Sequence, residues 1–99
     1  MIKVSVLYPK GENITFDTDY YCNKHIPLAK ARFGSTCKKV EVEAGIGEEA
    51  PYIAVGNLYF ESVEAFQFAF AQHEAELMGD VVNYTNATPV VQMSKVLIS

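Results

Sequence analysis

The chain is poor in the residues that build metal centres and disulfide frameworks. Its 99 residues include only two cysteines and two histidines. Cys22 and Cys37 fall on different predicted elements, and neither has a metal-like spacing with a histidine. We therefore predict two free thiols in a reducing compartment, no bound zinc and no other metal site.

The chain also lacks clustered positive charge and long apolar runs. Eight basic residues against twelve acidic ones give a net charge of −4, and only Lys38 and Lys39 are adjacent. Scattered cations do not provide the basic surface that a phosphate backbone requires. No stretch approaches the roughly 20 apolar residues of a membrane span, and no basic leader precedes an apolar signal core. We predict a soluble cytoplasmic protein with no nucleic-acid and no membrane partner.

The residue patterns that are present predict one domain, residues 1–99, with the element order βαββαβ. Apolar residues alternate from Ile2 to Tyr8 as in a strand, and Asp17 or Thr18 can cap a helix that ends near Phe33, before Gly34. Ser62 caps a second helix, which ends at Gly79. The remaining strands are predicted over residues 36–44, 52–60 and 90–98, with a loop over 45–51 and a polar turn over 80–88.

This order predicts an α+β, ferredoxin-like fold in which two helices cover one face of a four-stranded antiparallel sheet. The third and fourth strands carry apolar residues at both parities, so they offer apolar side chains to the uncovered face as well. A monomer would leave that patch in water. We therefore predict a homodimer in which two copies of the sheet pack face to face.

Polar side chains that can take part in catalysis, such as tyrosine and histidine, are concentrated in the segment FDTDYYCNKHIPLAK. Residues four apart share a helix face, so Tyr21 and His25 are expected to project together. Pro27 has no N–H and its ring meets the carbonyl of Asn23, so the helix should kink or restart there. The segment therefore predicts a histidine at a bend, beside a phenol.

His25 is the best candidate for catalysis, because an imidazole can take a proton from an enolisable or phenolic substrate near neutral pH. The structural alternative is a hydrogen bond from His25 to a backbone carbonyl that the kink releases, at Cys22 or Asn23. The sequence leaves both interpretations open. Tyr20 and Tyr21 can orient a substrate oxygen, or they can be amphipathic packing residues at a helix start.

Further candidates lie on the second helix and in the turn that follows it. His73 can border the apolar stripe of that helix and face the same cavity as His25, or it can occupy a half-exposed position. Tyr84 can form a lid or reach a partner subunit, or its turn can be purely structural. The phenylalanines are expected to form core and pocket wall, and they are Phe60, Phe66, Phe68 and Phe70.

Three segments together, FDTDYYCNKHIPLAK, PYIAVGNLYFESVEAF and GDVVNYTNATPVVQMSKVL, resemble the EthD family, named for ethyl tert-butyl ether degradation. The resemblance covers nearly the whole chain. Its most specific parts are the pattern from Asp17 to Leu28 and the turn over residues 79–85, which is followed by Pro89 and Gln92. The family commonly has proline where this chain has Val82, so the turn is expected to be less rigid here.

The resemblance implies a dimeric α+β barrel. It also implies an oxidoreductase label, because members are called reductases by association with an ether-degrading operon. That label carries little weight, since the sequence has no GxGxxG after a strand, no nucleotide loop and no metal set. Relatives in the wider superfamily act without cofactors as monooxygenases, lactone isomerases, cyclases, dehydratases or decarboxylases, with a histidine and hydroxyl groups between sheet and helices.

Two functions of different classes follow. The first is a cofactor-independent acid/base enzyme of catabolism for a small hydrophobic carbonyl or phenolic compound. Its catalytic residues are His25 and Tyr21, and its substrate-binding residues are Tyr20, Phe66, Phe70, His73 and Tyr84. The second is a non-catalytic dimeric module that binds a small apolar ligand or assembles.

Haem binding is a distant third, because it rests on one helix histidine with no further haem signature. No cofactor is predicted.

Overall fold

Four strands form one antiparallel sheet in the computed structural model, which describes residues 1–99. The strands are β1 (Ile2–Pro9), β2 (Lys39–Ala44), β3 (Tyr52–Phe60) and β4 (Val90–Lys95), in the spatial order β2-β3-β1-β4. Every neighbouring pair is antiparallel. β2 begins later than predicted because residues Gly34–Thr36 form a 3₁₀ turn, and β4 ends earlier than predicted.

The first predicted helix is present but divided by a π-helical turn. It consists of α1 (Thr18–Tyr20), the π turn (Tyr21–His25) and α2 (Ile26–Phe33). Across the π turn the Ile26 N–H bonds to the carbonyl of Tyr21, five residues back. The restart predicted at Pro27 therefore takes the form of a π turn that ends at His25, and the proline is the second residue of α2.

The helices begin and end in the structure where the sequence predicted. The Asp17 carboxylate accepts a hydrogen bond from the Tyr20 N–H at 3.0 Å, which caps α1, and Gly34 ends α2 with a φ of 56°. The second helix, α3 (Val63–Gly79), begins with Ser62, whose hydroxyl accepts from the Ala65 N–H at 3.1 Å. These caps satisfy helix-end donors locally, so they can be read from sequence.

The core lies between the helices and one face of the sheet, and it has two halves. One half is aliphatic and phenylalanine-rich, and contains Val4, Ala29, Phe33, Leu58, Phe60 and Leu77. The other is rich in tyrosine, and contains Tyr8, Tyr21, Ile26, Ala54, Tyr84 and Ala87. The helix-facing side chains of β1 are therefore aliphatic near its beginning, and Tyr8 is the helix-facing residue near its end.

The opposite face of the sheet has no helix, and we call it the open face. Strand register places Ser5 between Asn57 and Gln92 at its centre, with the Ser5 hydroxyl donating to the Asn57 side chain at 2.9 Å. The expectation that β4 offers an apolar surface here is corrected, because alternation puts Gln92 and Ser94 on this face. Apolar side chains on the open face concentrate at one end, around Val55, where Leu7 and Val90 lie alongside.

The helices leave part of β4 uncovered on their own side of the sheet. Val91 and Met93 lie on the helix side by register, but they are 53% and 46% exposed. None of the helices combines the length and apolarity needed to cross a bilayer.

Candidate functional site

An apolar cavity of about 280 Å³ lies between the helical layer and the helix-facing side of β1. Seventeen residues line it, and fifteen of them are hydrophobic. His25, the last residue of the π turn, is part of the cavity wall. An ionisable imidazole in an otherwise apolar wall makes this cavity the candidate functional site.

His25 is held by a carboxylate that follows α3. Its Nδ1 lies 2.9 Å from Oδ2 of Asp80, and both side chains are largely buried. A carboxylate only accepts, so in the neutral imidazole Nδ1 carries the proton and Nε2 carries the lone pair. No protein group hydrogen-bonds Nε2. The alternative partner expected from sequence, a carbonyl of Cys22 or Asn23, is therefore wrong.

Asp80 is itself fixed by two further donors. The Tyr20 hydroxyl donates to its Oδ1 at 2.7 Å, and the Asn83 amide donates to the same oxygen at 2.9 Å. Burial works to raise the pKa of Asp80, but hydrogen bonds from Asn83, His25 and Tyr20 lower it below its ordinary value. Asp80 therefore stays ionised near neutral pH and can stabilise a positive charge on His25.

Two tyrosine rings pack against the imidazole, and a third tyrosine is hydrogen-bonded to one of them. The hydroxyl oxygens of Tyr8 and Tyr84 are 2.7 Å apart, Tyr21 stacks on His25, and the Tyr84 ring centroid is 4.7 Å from that of His25. Burial raises the pKa of each of the three phenols. They therefore remain protonated at physiological pH and can donate hydrogen bonds, but they are poor bases.

A glycine in β3 makes room for one of these rings. A Cβ at Gly56 would lie 2.2 Å from the hydroxyl oxygen of Tyr21. The absence of a side chain at this position lets Tyr21 reach down onto the sheet beneath His25.

The structure brings together most, but not all, of the residues selected from sequence. Tyr21, His25 and Tyr84 line the cavity, as do Phe66 and Phe70. Tyr20 does not line it and instead binds Asp80, so its role as a direct substrate contact is corrected to a support of the His25 partner.

Two positions on α3 are also corrected. His73 is not in the cavity wall; it is half-buried at a separate surface depression with Arg32, because it lies on the side of α3 that faces the end of α2. Phe68 is 75% exposed and belongs to neither core half. It sits two residues from both Phe66 and Phe70, on the far side of the helix.

Two residues of the site were not selected from sequence. Tyr8 has the same strand parity as Val4 and Val6, and an aromatic hydroxyl at the end of an aliphatic face was the available signal. Asp80 directly follows the helix end at Gly79, where an acidic residue is unfavourable to the helix dipole. That position is a local reason to suspect a role elsewhere.

The described residues contain no group of three or more His, Cys, Asp or Glu side chains that could hold a metal ion. Both cysteines are free thiols, with Cys22 exposed and Cys37 partly buried.

The fold and the cavity define a ferredoxin-like α+β protein with an Asp–His pair at an apolar pocket. The EthD domain model matches residues 14–88, so the chain belongs to the EthD family. The resemblance of the sequence to that family is therefore confirmed. No curated protein matches the chain.

One solved structure supports the family assignment, and two more distant ones share the fold. An EthD-like protein from Ralstonia eutropha JMP134 is 43% identical over 98% of this chain and 92% of its own, with a TM-score of 0.88. An EthD family protein from Bacillus halodurans C-125 is 19% identical over 98% of this chain and 99% of its own, with a TM-score of 0.75. A dimeric protein of unknown function with a ferredoxin-like fold, from Bacteroides fragilis, is 13% identical over 96% of this chain and 95% of its own, with a TM-score of 0.65.

Proposed function

We propose that this EthD protein is a cofactor-independent acid/base enzyme acting on a small apolar carbonyl or phenolic compound. The observation that carries the proposal is the state of His25: Nδ1 is bound to Asp80, and Nε2 is unpaired at an apolar cavity. A fixed imidazole with a free lone pair is the arrangement that general base catalysis requires.

Each group at the cavity has a part in one proton transfer. Nε2 of His25 takes a proton from a C–H beside the substrate carbonyl, or from a phenolic O–H. The Asp80 carboxylate then stabilises the imidazolium, and the protonated hydroxyls of Tyr8 and Tyr84 can donate to the substrate oxygen as negative charge develops. Such a base contributes about 10²- to 10⁴-fold in rate.

The cavity sets the size and polarity of the substrate. A volume of about 280 Å³ is at the lower end of ligand pockets, and the wall has no lysine or arginine. Both facts favour a compact, uncharged molecule. The reductase label of the family is not part of this proposal, because the polar groups at this cavity supply acid/base chemistry.

The test measures the exchange of enolisable protons in deuterated water, because this measurement does not require the overall reaction to be known. Acetophenone is the probe, and NMR measures the loss of its methyl proton signal. The wild-type chain should accelerate exchange, and His25→Ala should reduce the acceleration by about 10²-fold or more. Phe68→Ser, a change at an exposed position of α3, is the matched control and should exchange like the wild type.

Full exchange activity in a folded His25→Ala variant would end the proposal. Absence of wild-type acceleration with acetophenone and with aliphatic ketones of similar size would count against a base acting on carbonyl compounds.

A non-catalytic ligand-binding module is the second candidate. The observation in its favour is that the His25–Asp80 bond joins the π turn to the segment after α3, which is also a structural function. On this alternative, His25→Ala lowers stability by about 1–3 kcal/mol because Asp80 loses a buried partner, and no exchange is seen in either protein. Thermal unfolding and proton exchange on the same two samples distinguish the candidates.

We further propose that the protein is a single-domain cytoplasmic homodimer that pairs through the open face. The support for pairing is the uncovered sheet, with its apolar end around Val55, and the dimeric state of the Bacteroides fragilis protein. The family model spans most of the proposed domain over residues 1–99.

A further inference from the structure

The paired hydroxyls of Tyr8 and Tyr84 contain more protons than they use. Two O–H groups carry two protons, and the 2.7 Å bond between the oxygens uses one of them. The Tyr21 hydroxyl also interacts with Tyr8 through a side-chain hydrogen bond, so the three hydroxyls form one chain. The three O–H groups carry three protons, the two hydrogen bonds among them use two, and all three residues line the same cavity. One donor therefore remains unused in every arrangement.

The cavity also contains an unused acceptor, Nε2 of His25, whose ring centroid is 4.7 Å from that of Tyr84. A donor and an acceptor thus line the same cavity, whose remaining wall is apolar. A ligand that satisfies both needs one atom that accepts one hydrogen bond and donates another. A hydroxyl oxygen does this with a single atom, whereas a ketone oxygen satisfies only the donor and a carboxylate has no proton to give.

We propose that this site recognises a neutral phenol, whose oxygen accepts a hydrogen bond from the Tyr8–Tyr84 pair and whose O–H donates to Nε2 of His25. The aromatic part of the ligand occupies the apolar end of the cavity, where Phe33, Phe66 and Phe70 provide edges and faces for ring packing. Anionic ligands are rejected because the wall holds no fixed cation and the ionised Asp80 lies directly behind His25.

This inference narrows the substrate of the proposed enzyme to phenols, and it rests on the same site. Its test measures binding alone, so it can succeed where the exchange reaction fails, and the reverse also holds. Phenol and toluene have nearly the same shape and differ only in O–H against CH₃, which makes them a matched probe pair. Benzoate adds the anionic case.

The experiment is titration of the intact protein with each of the three probes, followed by protein NMR shifts at the cavity. We expect phenol to bind about tenfold or more tightly than toluene, because two hydrogen bonds are gained. In Tyr8→Phe/Tyr84→Phe that preference should fall by about fivefold or more, while toluene binding stays within about twofold. Tyr59→Phe, on the open face and bonded to Glu41, is the control and should retain the full preference.

The double variant removes both partners of the 2.7 Å hydrogen bond, so neither hydroxyl of that pair is left without the other, which is compatible with folding. Tyr84→Phe alone is a second variant if the double variant melts. Equal binding of phenol and toluene by the wild type, a phenol preference that survives loss of both hydroxyls, tighter binding of benzoate than of phenol, or no binding of any probe would each overturn the proposal.

Discussion

At the scale of single residues, the site depends on side chains that are far apart in sequence and on one position with no side chain. His25 and Asp80 are 55 residues apart, and Tyr8 and Tyr84 are 76 residues apart. Gly56 is the residue without a side chain, and it leaves the space for the Tyr21 hydroxyl. The imidazole is thus fixed from one side by a carboxylate and from below by a ring that a glycine admits.

Gly56→Ala is predicted to destabilise the protein by about 1–3 kcal/mol, because the new methyl group overlaps the Tyr21 hydroxyl and the ring must move. Urea unfolding measures the change. Gly79→Ala is the matched control, since a Cβ there meets no atom within 4 Å; its stability should be unchanged or slightly higher.

The same overlap predicts a rescue. In Tyr21→Phe the closest remaining ring atom is 3.4 Å from the added Cβ, which is an ordinary contact. Gly56→Ala should therefore cost markedly less in a Tyr21→Phe background. Equal costs in the two backgrounds would refute the role given to Gly56.

At the scale of elements, the π turn and the segment after α3 are tied together through Asp80. The turn places Tyr21 and His25 toward the cavity, and Asp80 accepts hydrogen bonds from His25, Tyr20 and Asn83. A π turn widens the helix by one residue, so its side chains need support from outside the helix. Asp80 provides that support to both ends of the turn.

The hydrogen bonds to Asp80 make the free energy of unfolding depend on pH in the acidic range. The pKa of Asp80 is lowered in the folded protein below its ordinary value of 3.8, so the ionised form stabilises folding. That contribution is complete above the ordinary pKa and is lost as pH falls through the lower folded pKa. Asp80→Asn should therefore cost about 1–3 kcal/mol at pH 5, and the difference from wild type should shrink on further acidification.

Thermal unfolding of both proteins between pH 5 and pH 2 checks this prediction. Glu74→Gln, at an exposed carboxylate of α3 without an ion-pair partner, serves as the control and should differ little from wild type throughout. A stability difference for Asp80→Asn that does not change with pH would contradict the assignment of charge to this carboxylate.

At the scale of the whole molecule, the open face is more polar than the apolar residues at both parities of β3 suggested. Hydrogen bonds connect Ser5 with Asn57 and Asn57 with Glu43 across neighbouring strands. An interface on this face would be mixed, with its apolar part around Val55. The apolar area that a dimer would bury on this face is therefore smaller than the sequence indicated.

The chain is predicted to be a dimer in native mass spectrometry, and Val55→Lys is predicted to shift it to monomer without loss of circular dichroism. A lysine at the apolar end of the open face would place a charged group in the interface, and its removal from water is costly even with Glu43 opposite it on β2. Phe68→Lys, on the exposed side of α3, is the control and should remain dimeric. A wild-type monomer would remove the proposal, and a dimeric Val55→Lys variant would move the interface elsewhere.

The sequence by itself determined the elements, because their signals are local. Alternation predicted β1, a run that is apolar at both parities predicted β3, short side chains at helix starts predicted the caps at Asp17 and Ser62, and Pro27 predicted the break in the first helix. It also selected His25, Tyr21 and the family. The signals for the elements each depend on contacts within a few residues, whereas the family resemblance comes from three segments along the chain.

Only the tertiary structure decided which of those residues meet. The pairing of His25 with Asp80, the use of Tyr20 as a support and the position of His73 outside the cavity depend on how α3 packs over the sheet. The polarity of the open face depends on strand register. Contacts of this kind join distant segments, so no local pattern encodes them, and the chemistry of the cavity follows from them.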